Sequence, residues 1–91
     1  MISRELTIDF KIGIHSRPAA LIVKKVRSLP DYKIMFSHNG KTGRADSLIS
    51  LLRLGIAGGA KMTVSVEGNE EEEEVLSQLI SFIKNEVARE G

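Results

Sequence analysis

Residues 5–30 read ELTIDFKIGIHSRPAALIVKKVRSLP, and within this stretch the apolar spacing changes period. Leu6, Ile8 and Phe10 alternate with Thr7 and Asp9. A period of two puts one face of a strand against a core, so a first strand is predicted over Glu5 to Lys11. From Ala19 onward the apolar positions are Ala19, Ile22 or Val23, Val26 and Leu29. That spacing marks one face of a helix, and Pro30 closes it because proline cannot continue the ladder. The other face of this helix carries Lys24, Lys25 and Arg27.

The remainder of the chain continues the alternation of elements. Tyr32, Ile34 and Phe36 are spaced as a second strand, and Asn39-Gly40 is the strongest short-range hairpin signal. A third strand therefore follows near Lys41 to Ala45. Ser47 precedes LISLLRLG, a short helix with Gly55 in the position that favours a left-handed cap. Met62, Val64 and Val66 alternate as a fourth strand after the glycine-rich GIAGGAK. Asn69 with Glu72 fits an N-cap pair for a last helix, whose apolar face is Val75, Leu76, Leu79, Ile80, Ile83 and Val87. The order βαββαβα, with amphipathic helices, predicts an α+β open-faced sandwich. One four-stranded antiparallel sheet would be covered on a single face by three helices, and residues 1–91 would form one domain.

Composition narrows the function classes. Thirteen basic and twelve acidic side chains give a net charge of +1, which argues against a strong electrostatic grip on nucleic acid. One Tyr, three Phe and no Trp leave no stacking platform for RNA. There is no cysteine, hence no disulfide framework or thiolate chemistry. No uncharged run is long enough to span a bilayer, and MISRELTIDF carries charges where a signal peptide is apolar, so a cytoplasmic chain without membrane insertion is expected. Glu70 to Glu74 read as a solvated helix start that suits the positive end of the helix dipole.

The junction of strand and helix holds the chemistry. Ser16 is the expected N-cap, Pro18 sits in the first turn where a missing N–H costs nothing, and His15 lies just outside. A helix N-terminus presents oriented N–H donors and a positive dipole end, which suit a phosphate. The same field disfavours an imidazolium and so favours a neutral, nucleophilic His15. Arg17 adds a planar fork of donors for phosphate oxygens. Phosphoryl transfer asks mainly for positioning and charge compensation, so one accessible histidine suffices for a carrier, whereas no partner acid or nucleophile suggests a hydrolase. His38, beside Asn39-Gly40, reads as an exposed turn residue.

The string GIHSRPAA, then NGK, then a serine before an apolar helix ending in LGIAGGA, then SVEG, resembles the HPr family. These are the histidine-containing phosphocarriers of the bacterial phosphotransferase system. The resemblance runs in the same order over essentially the whole chain. It implies that His15 is phosphorylated at Nδ1 by phospho-enzyme I and relieved by sugar-specific IIA proteins or domains. It also implies that Arg17 stabilises the phosphate, with backbone donors from Ser16 and Arg17, and that no metal or organic cofactor takes part. Ser47 matches the serine that HPr kinase/phosphorylase modifies in many members, a signal read by a transcriptional regulator, although an ordinary N-cap explains it equally. Asp46 stands where members often carry lysine, and its carboxylate would repel a phosphate on Ser47.

The short helix is apolar almost all round, more than one face can bury. If Leu51 and Leu54 face the sheet, then Leu48, Ile49 and Leu52 form an outward docking patch, to which Lys24 and Arg27 add complementarity for acidic partners. A plain solvated face accounts for these cations as well. The expectation is a monomeric carrier, not a turnover enzyme. The alternative is an HPr paralogue in a regulatory or nitrogen-linked phosphorelay, acting through Ser47 and the adjacent helix.

Overall fold

The computed structural model describes residues 1–8 and 13–90. Its strands are β1 (Ile2–Thr7), β2 (Lys33–His38), β3 (Lys41–Arg44) and β4 (Lys61–Glu67). Its helices are α1 (Ser16–Arg27), α2 (Leu48–Arg53) and α3 (Glu72–Phe82), and α3 runs on through a π-helical stretch, Ile83–Val87, into a last turn, α4 (Ala88–Glu90). The strands form one sheet in the order β1-β4-β2-β3, every neighbour antiparallel. This is the α+β open-faced sandwich that the element order predicts.

Alternation decides which face of the sheet is covered. Ile34 and Phe36 of β2, with Met62, Val64 and Val66 of β4, are buried beneath the helices, while Met35, Ser37, Thr63 and Ser65 point the other way and stay partly open. Ile22 and Val26 of α1, Leu51 of α2 and Leu79 of α3 close the same core, and Phe36 at its centre has no solvent exposure. Burying such a side chain contributes about 1.5–3 kcal/mol. At the hairpin tip Asn39 (φ 52°) and Gly40 (φ 77°) are both left-handed, as a two-residue turn matching the strand twist requires.

The structure departs from the sequence reading at three places. β1 begins at Ile2, not Glu5, and Asp9 to Lys11 of the expected strand lie outside the described residues. Arg4 hid the early start: it shares a strand face with Leu6, yet its guanidinium turns to Glu73 of α3 (2.7 Å), so the apolar alternation fails while the backbone ladder from Ile2↔Val66 to Thr7↔Lys61 holds. At the other end, Asn69 does not cap α3. Its side chain accepts a hydrogen bond from the Tyr32 hydroxyl (2.7 Å), the helix starts at Glu72, and Glu72 closes the turn by accepting from the Gly68 N–H (2.8 Å). The expected single last helix is also rewound at Ile83–Val87. Ile83 and Val87 are both buried, and that apolar spacing fits either winding.

Candidate functional site

The residue that caps α1 is His15, not Ser16. Its backbone is extended (φ −103°, ψ −166°), its carbonyl accepts the first helical hydrogen bond from the Ala19 N–H (2.9 Å), and its side chain makes no cap bond. Ser16 therefore begins the helix proper. The preference of serine for caps cannot separate two adjacent positions when both are compatible with a following Pro18 in the first turn. The consequence for chemistry is that the imidazole grows from the residue that opens the helix. First-turn N–H groups have no partner within a helix, and here they come from Ser16 and Arg17, because Pro18 has none. Arg17 is exposed in the same turn.

His15 is half-buried. Nε2 is enclosed and has no hydrogen-bond partner among the described residues. A buried nitrogen left without a partner costs about 1–3 kcal/mol, which the rest of the fold must offset. The segment before His15 is held at Gly13, whose role the sequence reading missed. Gly13 is buried with φ 83°, and a Cβ there would stand 2.4 Å from the Ile56 carbonyl oxygen. Next to it, the Ile14 N–H donates to the same oxygen (2.8 Å). The segment leading to His15 is thus clamped, backbone on backbone, to the turn after α2. A glycine two residues before the histidine was the only signal in the sequence.

Helix α2 packs on α1. Leu51 and Leu54 are buried, whereas Leu48 (37% exposed), Ile49 (64%) and Leu52 (38%) face outward. Leu48 meets Ala20, Val23, Lys24 and Arg27 of α1 across a groove of about 430 Å³. Ser47 caps α2 by accepting from the Ser50 N–H (3.3 Å).

Two expectations about neighbouring charges need correction. Arg27 is not simply presented outward: it donates through Nε and Nη2 to the Asp46 carbonyl (3.2 and 3.1 Å), tying the end of α1 to the turn before α2. Asp46 is not a bare carboxylate either. Arg44 grips both its oxygens (3.0 and 2.9 Å) and holds the carboxyl below the usual aspartate range, with the charge of Arg27 adding to the effect. His38, read as an exposed turn residue, is half-buried and hydrogen-bonded through Nδ1 to the Lys61 carbonyl (3.0 Å).

Among the described residues no His, Cys, Asp and Glu side chains converge as a metal site, and no helix is long and apolar enough to cross a membrane. A family model described as "PTS HPr component phosphorylation site" matches residues 2–85. The chain belongs to the HPr family. The matched span takes in His15, Arg17 and Ser47. An HPr-like protein Crh from Halalkalibacterium halodurans is 34% identical over 86 residues, covering 94% of this chain and 100% of the relative. A phosphocarrier protein HPr from Vibrio cholerae is 37% identical over 75 residues, 82% of this chain and 87% of that one. The crystal structure of HPr-C-His from Thermoanaerobacter tengcongensis superposes with a TM-score of 0.85 at 30% identity, covering 96% of each chain. The relatives thus carry two kinds of name, HPr and the HPr-like Crh.

Proposed function

We propose that this chain is a phosphocarrier of the phosphoenolpyruvate-dependent sugar phosphotransferase system, accepting a phosphoryl group on His15 from phospho-enzyme I and passing it to IIA proteins or domains. The observation that carries this reading is the half-buried His15 at the cap of α1 with Nε2 enclosed, and on it we assign the reaction to Nδ1. The Nδ1 lone pair attacks phosphorus, the new N–P bond forms as the donor's bond to phosphorus breaks, and the donor departs with that electron pair. Transfer to IIA repeats the step with His15 as the leaving group. The added charge meets the N–H groups of Ser16 and Arg17 at the positive end of α1 and the Arg17 guanidinium. Positioning and charge compensation are what such a transfer needs.

Partners dock on Leu48, Ile49 and Leu52, with Lys24 and the outer edge of Arg27 beside them. On this reading residues 1–91 are one HPr-like domain that works in the cytoplasm as a monomer, needs no cofactor and is a carrier, not an enzyme. The test is incubation with enzyme I and phosphoenolpyruvate, with acid-labile phosphate mapped by mass spectrometry in wild type and His15→Ala. Label on His15, absent from the alanine variant, is expected; label persisting in that variant overturns the assignment.

A second reading, a regulatory paralogue modified on Ser47 and read by a transcriptional regulator, is favoured by the full-length similarity to a Crh protein. The Arg44 grip on Asp46 removes much of the repulsion a phosphate there would meet. Labelling by ATP and HPr kinase/phosphorylase, compared between native protein and Asp46→Lys, decides it. Equal, rapid labelling supports the regulatory reading, and no label on Ser47 in either protein excludes it.

A further inference from the structure

Helix α1 has two grooved flanks. Ala20, Lys24 and Arg27 face α2, as described above, while Leu21, Lys25 and Ser28 face α3 and line a second groove of about 330 Å³ whose floor is completed by Phe82. This second groove continues past Phe82 into a more polar stretch of about 490 Å³ along Ser77, Ser81 and Asn85. Ser77 and Ser81 lie about one α-helical turn apart, and Asn85 follows within the π-helical stretch.

We propose that the α1–α3 groove is a second docking surface, one that takes an acidic amphipathic helix of a partner protein, anchored by a single apolar side chain. Three observations carry it. The floor beside Leu21 is apolar and Phe82 is only half-buried. The rim cations are uncompensated: among the described residues neither Lys24 nor Lys25 is in an ion pair, and the Lys25 ammonium instead lies 5.7 Å from the centroid of the Phe82 ring. Glu86, the one acid among the residues lining the groove, is paired with Arg89 (3.8 Å). Finally, the π-helical winding starts directly after Phe82 and sets Asn85 and Glu86 at the far end of the groove. Such turns recur at functional positions in helices.

Charge complementarity therefore selects the occupant. Carboxylates pair with Lys24 and Lys25, one Leu or Phe displaces the Lys25 ammonium from the Phe82 ring, and neutral polar side chains meet Ser77, Ser81 and Asn85, a helix-in-groove mode. Of the α1 rim, only Lys24 also lines the groove toward Leu48. Leu48, Ile49 and Leu52 line neither stretch of this groove, so its occupancy is read apart from phosphoryl transfer although Lys24 borders both surfaces.

The test uses unphosphorylated, ¹⁵N-labelled protein and synthetic helical peptides of about 12 residues. One carries a single Leu flanked by Glu, one has that Leu replaced by Ala, and one has every Glu replaced by Lys. The first peptide should shift the amides of Leu21, Lys25, Ser28, Ser81 and Phe82. Binding should weaken about tenfold or more for the other two peptides and for the Phe82→Ala and Lys25→Glu variants. Lys25→Glu changes only a half-buried surface cation, so its effect does not depend on how well Phe82→Ala folds. No shifts at millimolar peptide, shifts confined to Leu48, Ile49 and Leu52, or equal binding by Lys25→Glu would each overturn the proposal. So would self-association that buries Phe82, which would make a second copy the occupant.

Discussion

Substituting Gly13→Ala would place a Cβ 2.4 Å from the Ile56 carbonyl oxygen and 2.6 Å from both the Ala57 carbonyl carbon and the Gly58 nitrogen. All three are backbone atoms, so no side chain can swing aside. The left-handed backbone (φ 83°) adds about 1–2 kcal/mol for any residue with a Cβ. Overpacking against a fixed wall costs about 1–3 kcal/mol. The Ile14 N–H bond to the same oxygen, 2.8 Å in the native protein, would stretch or break, for a further 0.5–1.5 kcal/mol or so. Together these give a destabilisation of about 2.5–6.5 kcal/mol, read as a lower urea midpoint at unchanged slope. Relaxation of the clash by moving residues 13–15 would carry His15 with it, so phosphoryl acceptance from enzyme I should fall more steeply than the folded fraction does. A variant within about 1 kcal/mol of wild type that accepts phosphate at the native rate would refute the view that Gly13 clamps the histidine.

Other expected outcomes concern the flanking surfaces. Ile49→Asp should leave the unfolding free energy from urea denaturation within about 0.5 kcal/mol of wild type, since Ile49 is 64% exposed, while weakening enzyme I binding about tenfold; unchanged affinity would remove Ile49 from the docking patch. Leu51→Ala, on the fully buried side of the same helix, should cost about 2–5 kcal/mol in stability, measured by the same denaturation. For Asp46→Asn the sign follows from a carboxyl whose titration is lowered in the folded protein by Arg44 and Arg27: the native pair stabilises above the usual aspartate value of 3.8 and that contribution is lost as pH falls below it. Wild type should therefore exceed Asp46→Asn slightly in midpoint at pH 7 and lose that lead on acidification below about pH 3.8, with no change between pH 6 and 8. A difference that persists in acid would show that the Arg44 fork is not its source.

What the chain discloses by itself is local and periodic. The alternation of Met62, Val64 and Val66, the helical spacing of Ile22 and Val26, and Asn39-Gly40 at the hairpin each rest on neighbours in sequence, and each appears in the structure where the pattern puts it. Three of the departures involve partners brought together by folding. Arg4 breaks an apolar alternation because Glu73, 69 residues away, receives it. Asn69 leaves its capping role because the Tyr32 hydroxyl claims its oxygen. Asp46 reads as a lone repulsive charge until Arg44 and Arg27 close around it. The candidate site divides in the same way: His15 and Arg17 are legible beside a helix start, but the backbone clamp at Gly13 depends on a turn more than 40 residues further along, at Ile56, and no sequence pattern marks Nε2 as enclosed.

The measurement that bears most directly on His15 as the acceptor is the ¹⁵N spectrum of its imidazole in protein charged by enzyme I and phosphoenolpyruvate. With Nε2 enclosed, phosphorus should couple to Nδ1 alone, and the signal should vanish on acid treatment. Phosphorus on Nε2, or on any residue other than His15, would contradict the assignment.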